Sequence, residues 1–231
     1  CYTELIMHST QKRSEDILLA TVHEYLKDGA PVSSQVLHEN YDFGIGPASI
    51  RAALHALEQR GWLCQPHTSG GRVPTNKALE FFADTVRTEV TSRNEAEAGR
   101  TALAEHFLED ELPEFIDTLA SSMRLLGVGF DFSHDAIYKS GLEQLFAHLD
   151  IAEPLIFREV ARDFEELDRR VARFMQEPQR AVSGPLVYIG KKSPFTRSEH
   201  LTTIFDVFDI DGDAVFLGAI GPRRMDYRKN L

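Results

Sequence analysis

The stretch Trp62 to Thr75, WLCQPHTSGGRVPT, decides how the first third of the chain folds. Its middle runs through Thr68, Ser69, Gly70 and Gly71 to Arg72, and Val73-Pro74 follows. A glycine loop with a basic residue suits a nucleotide cradle, a loop on nucleic acid, or a tight turn. A nucleotide P-loop carries Lys-Ser/Thr after its glycines. Here Arg72 is followed by Val-Pro, which speaks against that option. Trp62 to Gln65 reads as a short strand. Val73-Pro74 permits only an edge strand, because proline has no amide to donate to a sheet. The segment between them becomes a hairpin tip.

The flanks extend the reading. Residues 14–28 place Ile17, Leu18, Thr21, Val22, Tyr25 and Leu26 at helical spacing, and Gly29 supplies a left-handed cap. Ser33 or Ser34 caps a second helix with Val36, Leu37 and Tyr41 inward. After the turn Asp42 to Gly46, Pro47 suits the first turn of a third helix, with Ile50, Ala53, Leu54 and Leu57 as its apolar stripe. Gly61 ends it. Beyond the hairpin, Thr75 caps a fourth helix bearing Leu79, Phe82, Val86 and Val90. Three helices, strand, hairpin, strand and helix is the order of a winged helix-turn-helix.

Ala48, Ser49, Arg51, Ala52 and His55 lie off the stripe of the third helix. A helix that enters a major groove needs such a slim face with a few donors. The same face would also suit the solvated side of an ordinary bundle. On the DNA reading, the contacts come from Ser33, Pro47, Ala48, Ser49, Arg51, Ala52 and His55 on the helices. The hairpin adds His67, Thr68, Ser69, Gly70, Gly71 and Arg72. Its glycines would let backbone approach the sugar-phosphate chain, and its hydroxyls and Arg72 would donate to phosphate.

Composition bounds the possibilities. The 231 residues suffice for one large domain or two small ones, and 42% apolar with 26% charged is ordinary for a globular protein. No apolar run approaches the roughly 18 residues of a membrane span, and no secretory signal is visible. The chain opens on Cys1 rather than Met, which points to residues upstream. Two distant cysteines, Cys1 and Cys64, make no disulfide framework or zinc set, fit a reducing cytoplasm, and leave Cys64 as a buried inert thiol. Net charge is −11, divided as −2 over residues 1–93 and −9 over residues 94–231. Between Gly44 and Arg72, however, three arginines (Arg51, Arg60, Arg72) face one acid, Glu58. A local basic patch on a balanced domain is compatible with DNA contact.

The second half reads as helices over Ala96–Phe107, Leu112–Leu126 and Phe157–Met175. The last bears Val160, Phe164, Leu167, Val171 and Phe174 inward, with alternating charges that read as a solvated face. The glycine pair of GVGF, Gly127 to Phe130, carries little weight. Strands follow from Leu186. DIDGDA, Asp209 to Ala214, lacks the twelfth-position glutamate of a calcium loop, and its Asp211-Gly212 reads as a type I′ hairpin turn. No nucleophile, acid-base pair or metal-ligand spacing can be assembled, so no enzyme, cofactor or metal is expected.

The segment Gly29 to Asp84 resembles the N-terminal domain of HrcA-type repressors of bacterial heat-shock genes. The family's "PVGS", "SSATIRN", "LEE-G-(L/F)" and "HTSAGRIPT" patterns correspond to Pro31–Ser34, Gly46–Ala52, Leu57–Trp62 and His67–Thr75. LGAIGPRRMDYRKNL, Leu217 to Leu231, looks like the family's C-terminal "GTIGVIGPTRMDY" signature. LVYIGKKSPF, Leu186 to Phe195, resembles "YIGEENP", and IYKSGLEQLF, Ile137 to Phe146, is similar to a helix start in the same domain. There are two departures. The family Asn after "IR" is Ala52 here, which bears on the base read there. Only Gly127 to Ala136 occupies the place of a long stretch containing the family's dimerisation insert.

The resemblance implies an α+β chain: a winged helix-turn-helix over 1–93 and a shortened GAF-like domain over 94–231. It implies a cytoplasmic, nucleoid-associated repressor of chaperone genes that binds an inverted repeat in double-stranded DNA as a homodimer. Feedback through the chaperonin is implied in the same way, and no membrane is involved. The alternative is a sensor whose acidic C-terminal domain binds a small ligand or a protein, with a different DNA target or none.

Overall fold

The structure, a computed structural model, describes residues 2–66, 70–91, 112–131, 134–149, 154–176, 184–210 and 213–231. Two units emerge, Cys1–Phe82 and Ala83–Leu231, and the division falls within a helix. The class is α+β, as expected. Among the described residues no helix is long and apolar enough to cross a membrane.

In the first unit α1 (Tyr2–Asp28) starts well before the expected helix and ends at Gly29, whose φ is 69°. It buries Ile17, Leu18, Val22 and Tyr25. Ser33, not Ser34, caps α2 (Ser34–Asn40): its Oγ accepts the Val36 amide at 3.2 Å. Pro47 opens α3 (Pro47–Gln59), which buries Ile50, Leu54 and Leu57 at the spacing the sequence suggests. Glu24 of α1 is buried, and its carboxylate accepts the Tyr41 hydroxyl at 2.9 Å and the Asn40 amide at 3.1 Å. Burial, reinforced by the bond and charge of Glu24, pushes the Tyr41 phenol up to about 12. This polar tie joins α1 to the end of α2.

β1 (Leu63–Cys64) pairs antiparallel with β2 (Val73–Pro74) in a two-stranded ribbon. Successive strand residues face opposite sides. Leu63 is therefore buried and Cys64 exposed, which corrects the expectation of a buried thiol. α4 (Asn76–Thr91) follows. The Thr75 carbonyl accepts the Ala78 and Leu79 amides. Its hydroxyl, expected to cap the helix, instead lies 2.9 Å from the Gly61 carbonyl and 3.0 Å from that of Trp62. The Thr75 amide also donates to the Trp62 carbonyl at 3.0 Å, so Thr75 holds the turn after α3 through both its backbone and its side chain.

The second unit is built on a five-stranded antiparallel sheet in the order β4-β3-β7-β6-β5. Its elements are α5 (Leu112–Met123), β3 (Leu126–Asp131), β4 (Ala136–Ser140), α6 (Leu142–His148), α7 (Pro154–Gln176), β5 (Leu186–Ile189), β6 (Leu201–Ile210), β7 (Asp213–Pro222) and α8 (Tyr227–Asn230). α5 stops short of the expected Leu126 because Arg124 turns left-handed (φ 56°) and Leu126 enters the sheet. Ile137–Lys139, read as the start of a helix, is strand; the helix begins at Leu142. The expected helix Ala96–Phe107 and the Asp211-Gly212 turn lie outside the described residues. The pairing of Ile210 with Asp213 brackets that turn.

Alternation sorts the two faces of the sheet. Leu126, Val128, Phe130, Phe205, Phe216 and Ile220 join α6 and α7 in the main core. Val215 and Leu217 meet α5 through Leu112 and Ile116. Phe174, Phe195, Phe205 and Phe216 pack at ring separations of 4.9 to 6.5 Å, within the range of favourable aromatic pairs. The glycine pair of GVGF has a packing role. A Cβ on Gly127 would sit 3.0 Å from the Ile116 carbonyl, and one on Gly129 would sit 2.9 Å from Ile116 Cδ1. α5 can lie close to β3 only because these positions are bare.

Gly141 joins β4 to α6 at φ 92°, and a Cβ there would collide with the Leu125 carbonyl oxygen. Gly141→Ala is therefore expected to cost about 2–4 kcal/mol, from the left-handed backbone and overpacking together. Thermal unfolding of this variant checks it. A midpoint equal to that of the parent would mean the turn relaxes freely.

Candidate nucleic-acid interface

The interface expected from the sequence is the outer face of α3 together with the ribbon. On α3, Pro47, Ala48, Ser49, Arg51, Ala52 and His55 are all exposed, opposite buried Ile50, Leu54 and Leu57. The helix brings these six together on one side, as the spacing implied. Gly46 caps the helix without a side-chain bond, and Pro47 has no amide. The Ser49 and Ile50 amides return to the Gly46 carbonyl. The first turn therefore keeps the Ala48 amide for an outside acceptor, at the positive end of the helix dipole.

The two functional side chains of this face differ. Among the described residues Arg51 has neither a hydrogen bond nor an ion pair. His55 already has neighbours: its Nδ1 lies 3.4 Å from Glu58 Oε2, and its Nε2 lies 3.3 Å from Gln59 Nε2. Its side chain is still 62% exposed, so it can exchange those contacts for others. Ser33 is committed to capping α2. Arg60 is exposed, and Lys77 holds the turn beside it by reaching the Arg60 carbonyl at 3.2 Å and lying 4.0 Å over the Trp62 ring.

The hairpin departs from expectation at Arg72. Its guanidinium grips Glu58 Oε2 through Nε at 3.0 Å and Nη2 at 3.0 Å, and Nη1 donates to the Gly71 carbonyl at 3.3 Å. Only 15% of the side chain is exposed. The Arg72 backbone pairs with Val32 in both directions at 2.8 Å. Arg72 thus braces the ribbon against α3 and against the segment before α2. The glycines divide similarly. Gly70 is exposed with open space around it, whereas a Cβ on Gly71 would sit 2.7 Å from Pro31. Gly71 is required by packing, and Gly70 alone leaves room for another molecule's backbone. His67, Thr68 and Ser69 lie outside the described residues.

Glu58 was missed as a site residue. The available signal was its position as the one acid among three arginines between Gly44 and Arg72, in the last turn of the helix whose face matters.

Comparison with known proteins places the chain. Residues 72–231 match the family model described as HrcA protein C terminal domain. A heat-inducible transcription repressor HrcA from Beutenbergia cavernae is 38% identical over 117 residues, 51% of this chain and 32% of its own length. One from Leptospira biflexa is 39% identical over 102 residues, 43% of this chain and 30% of its own length. The matched region thus spans about a third of these curated relatives. A crystal structure described only as a hypothetical protein shares the fold, with a TM-score of 0.72 at 16% identity over 94% of this chain and 93% of that one.

Arg72→Ala and Glu58→Gln are each expected to destabilise the first unit by about 1.5–3 kcal/mol, because each strands a partly buried charged partner. Together they should cost less than the sum of the two. A double-mutant cycle read by denaturant unfolding checks this. Additive losses would show that the two side chains act separately.

Proposed function

The chain belongs to the HrcA family, and from that premise we propose that it is a DNA-binding transcriptional repressor of heat-shock genes. In this reading residues 1–93 are a winged helix-turn-helix, with the ribbon as wing. Residues 94–231 are a reduced GAF-like domain. The protein binds an inverted repeat beside chaperone genes as a homodimer, because a two-fold symmetric site calls for two reading heads. We extend the proposal, by resemblance to the family, to chaperonin feedback and a cytoplasmic, nucleoid-associated location, and assign no catalysis.

The observation that carries this reading is the outer face of α3. It is slim at Ala48, Ser49 and Ala52, exposed throughout, and furnished with the unengaged guanidinium of Arg51. A helix of this shape fits a major groove, where arginine can bond guanine bidentately. The open first turn suits a phosphate. Ser49 and His55 supplement Arg51, and Gly70 with the rest of the tip approaches the adjacent backbone. Arg72 acts one step back, by holding the wing at its angle to α3. Ala52 presents only a methyl group where the family pattern has Asn, so base reading there is apolar.

A second reading is supported by a cleft beside α7 lined by Arg158, Arg162, Arg197 and Ser198. In it the chain is a sensor that takes a small ligand in its second unit. Ligand-dependent thermal stabilisation without retention on any DNA would favour this alternative.

Selection of bound fragments from total genomic DNA by the purified protein tests the main reading. Recovery of an inverted repeat beside chaperone genes is expected, and recovery of no enriched sequence would overturn it. On such a site Arg51→Ala should weaken binding by about 1–3 kcal/mol and relax preference at one base pair of each half-site. Unchanged affinity and preference would remove Arg51 from the interface.

A further inference from the structure

The charged residues of α7 read from sequence as a solvated face. The structure sorts them. Asp163 is 3% exposed, and its carboxylate accepts the Arg197 amide on both oxygens at 2.8 Å, the Ser198 amide at 2.8 Å, and Arg170 Nη1 at 2.7 Å. Arg170 also donates to the Phe195 carbonyl at 2.7 Å and to Glu166 at 2.6 Å. Arg169 adds a second donor to Glu166 at 3.2 Å. The hydrogen bond from Arg170 holds the Glu166 carboxyl below its usual range, so it stays ionised and paired. These bonds consume the carboxylates of Asp163 and Glu166 and pin residues 195–198 across the helix.

What remains on the walls is different in character. The cleft has a volume of about 650 Å³ and is bordered by Leu155, Arg158, Glu159, Arg162, Arg197 and Ser198 around the Asp163–Arg170–Glu166 floor. That volume lies within the range of small-molecule sites. Arg158 and Arg162 are exposed, and among the described residues neither has a hydrogen bond or an ion pair within bonding distance. They stand four residues apart on one helix, a spacing at which like charges repel. Arg197 is exposed, and its guanidinium makes one bond, from Nη1 to the Ser193 carbonyl at 3.3 Å. Ser198 Oγ accepts the His200 amide and keeps its proton to donate. Three guanidinium groups therefore border the cleft with Glu159, whose charge also acts on Lys191, and Arg162 lends part of its field to Glu166, in the half of the chain that carries a net charge of −9.

We propose that this cleft is a binding site for a small organic molecule bearing multivalent oxyanion groups, phosphate or carboxylate. Arg158, Arg162 and Arg197 grip the anion, and Leu155 covers its apolar part. Guanidinium forks match phosphate and carboxylate oxygens bidentately. Leu155 is 66% exposed at the rim, placed to lie over a ligand body. The buried Asp163 sets the position of Arg197, because it holds that residue's own amide. This inference stands apart from the DNA reading, and neither depends on the other.

Isothermal titration of the full chain at low ionic strength, with pyrophosphate and separately with citrate, tests it. Saturable one-to-one binding of at least one probe is expected. The R158Q/R162Q double variant should bind at least tenfold more weakly, whereas Arg169→Gln, whose side chain pairs with Glu166 and does not line the cleft, should bind as the parent does. Preference for pyrophosphate assigns the natural ligand to phosphate chemistry, and preference for citrate to carboxylate chemistry. No saturable heat with either probe, or binding undiminished in a double variant that unfolds at the parent's temperature, would overturn the proposal.

Discussion

The ion pair between Arg72 and Glu58 is the constraint on which the geometry of the first unit turns. It is made by a guanidinium with little access to water, so two charge-assisted bonds meet weak competition from solvent. The backbone of the same residue pairs with Val32, and the glycine before it lies against Pro31. One residue thus ties the ribbon to α3 and to the segment that leads into α2. The exposed side chains of α3 and the two strands of the ribbon have a defined relation to each other because of this brace.

The second unit uses the same chemistry for a different end. Asp163 is buried, and a buried carboxylate is tolerable only when its lone pairs are filled. Two backbone amides and the Arg170 guanidinium fill them. The loop that supplies those amides follows Phe195, which sits in the aromatic cluster between the sheet and α7. Apolar packing places the loop, and the carboxylate then fixes its backbone. In both units a single acid on a helix holds an irregular segment, and the side chains left exposed on that segment and helix form the candidate surface.

Much of the architecture was legible in the sequence. Helical spacing located α2, α3 and α4 within a few residues, and proline and glycine marked their ends. The short strands around Leu63 and Val73 followed from the hairpin signal. The exposed side of α3 was legible for the same reason, since burial of Ile50, Leu54 and Leu57 forces the alternate residues outward. Failures occurred where a residue's type suits more than one partner. Thr75 has the chemistry of a cap, yet its hydroxyl meets carbonyls of the preceding turn. Arg72 keeps the chemistry of a phosphate ligand, and the contact the sequence did not reveal is its bond to Glu58, fourteen positions away. Cys64 tends by type to be buried, yet strand alternation turns it outward.

By itself the sequence determined periodicity, punctuation and family, because these depend on spacing along one chain and on motifs read in order. It therefore settled the α+β class, the helix-rich start and the resemblance to the HrcA family. Only the tertiary structure decided which charged groups are spent inside the fold and which remain for a partner. Glu58, Asp163 and Glu166 each draw an arginine inward, whereas Arg51, Arg158 and Arg162 are left facing outward. Arg170 meets Asp163 and Glu166 within one helix, but Arg72 reaches Glu58 from fourteen positions away and the Arg197 and Ser198 amides reach Asp163 from more than thirty, and such pairing at about 3 Å is a property of the folded chain alone.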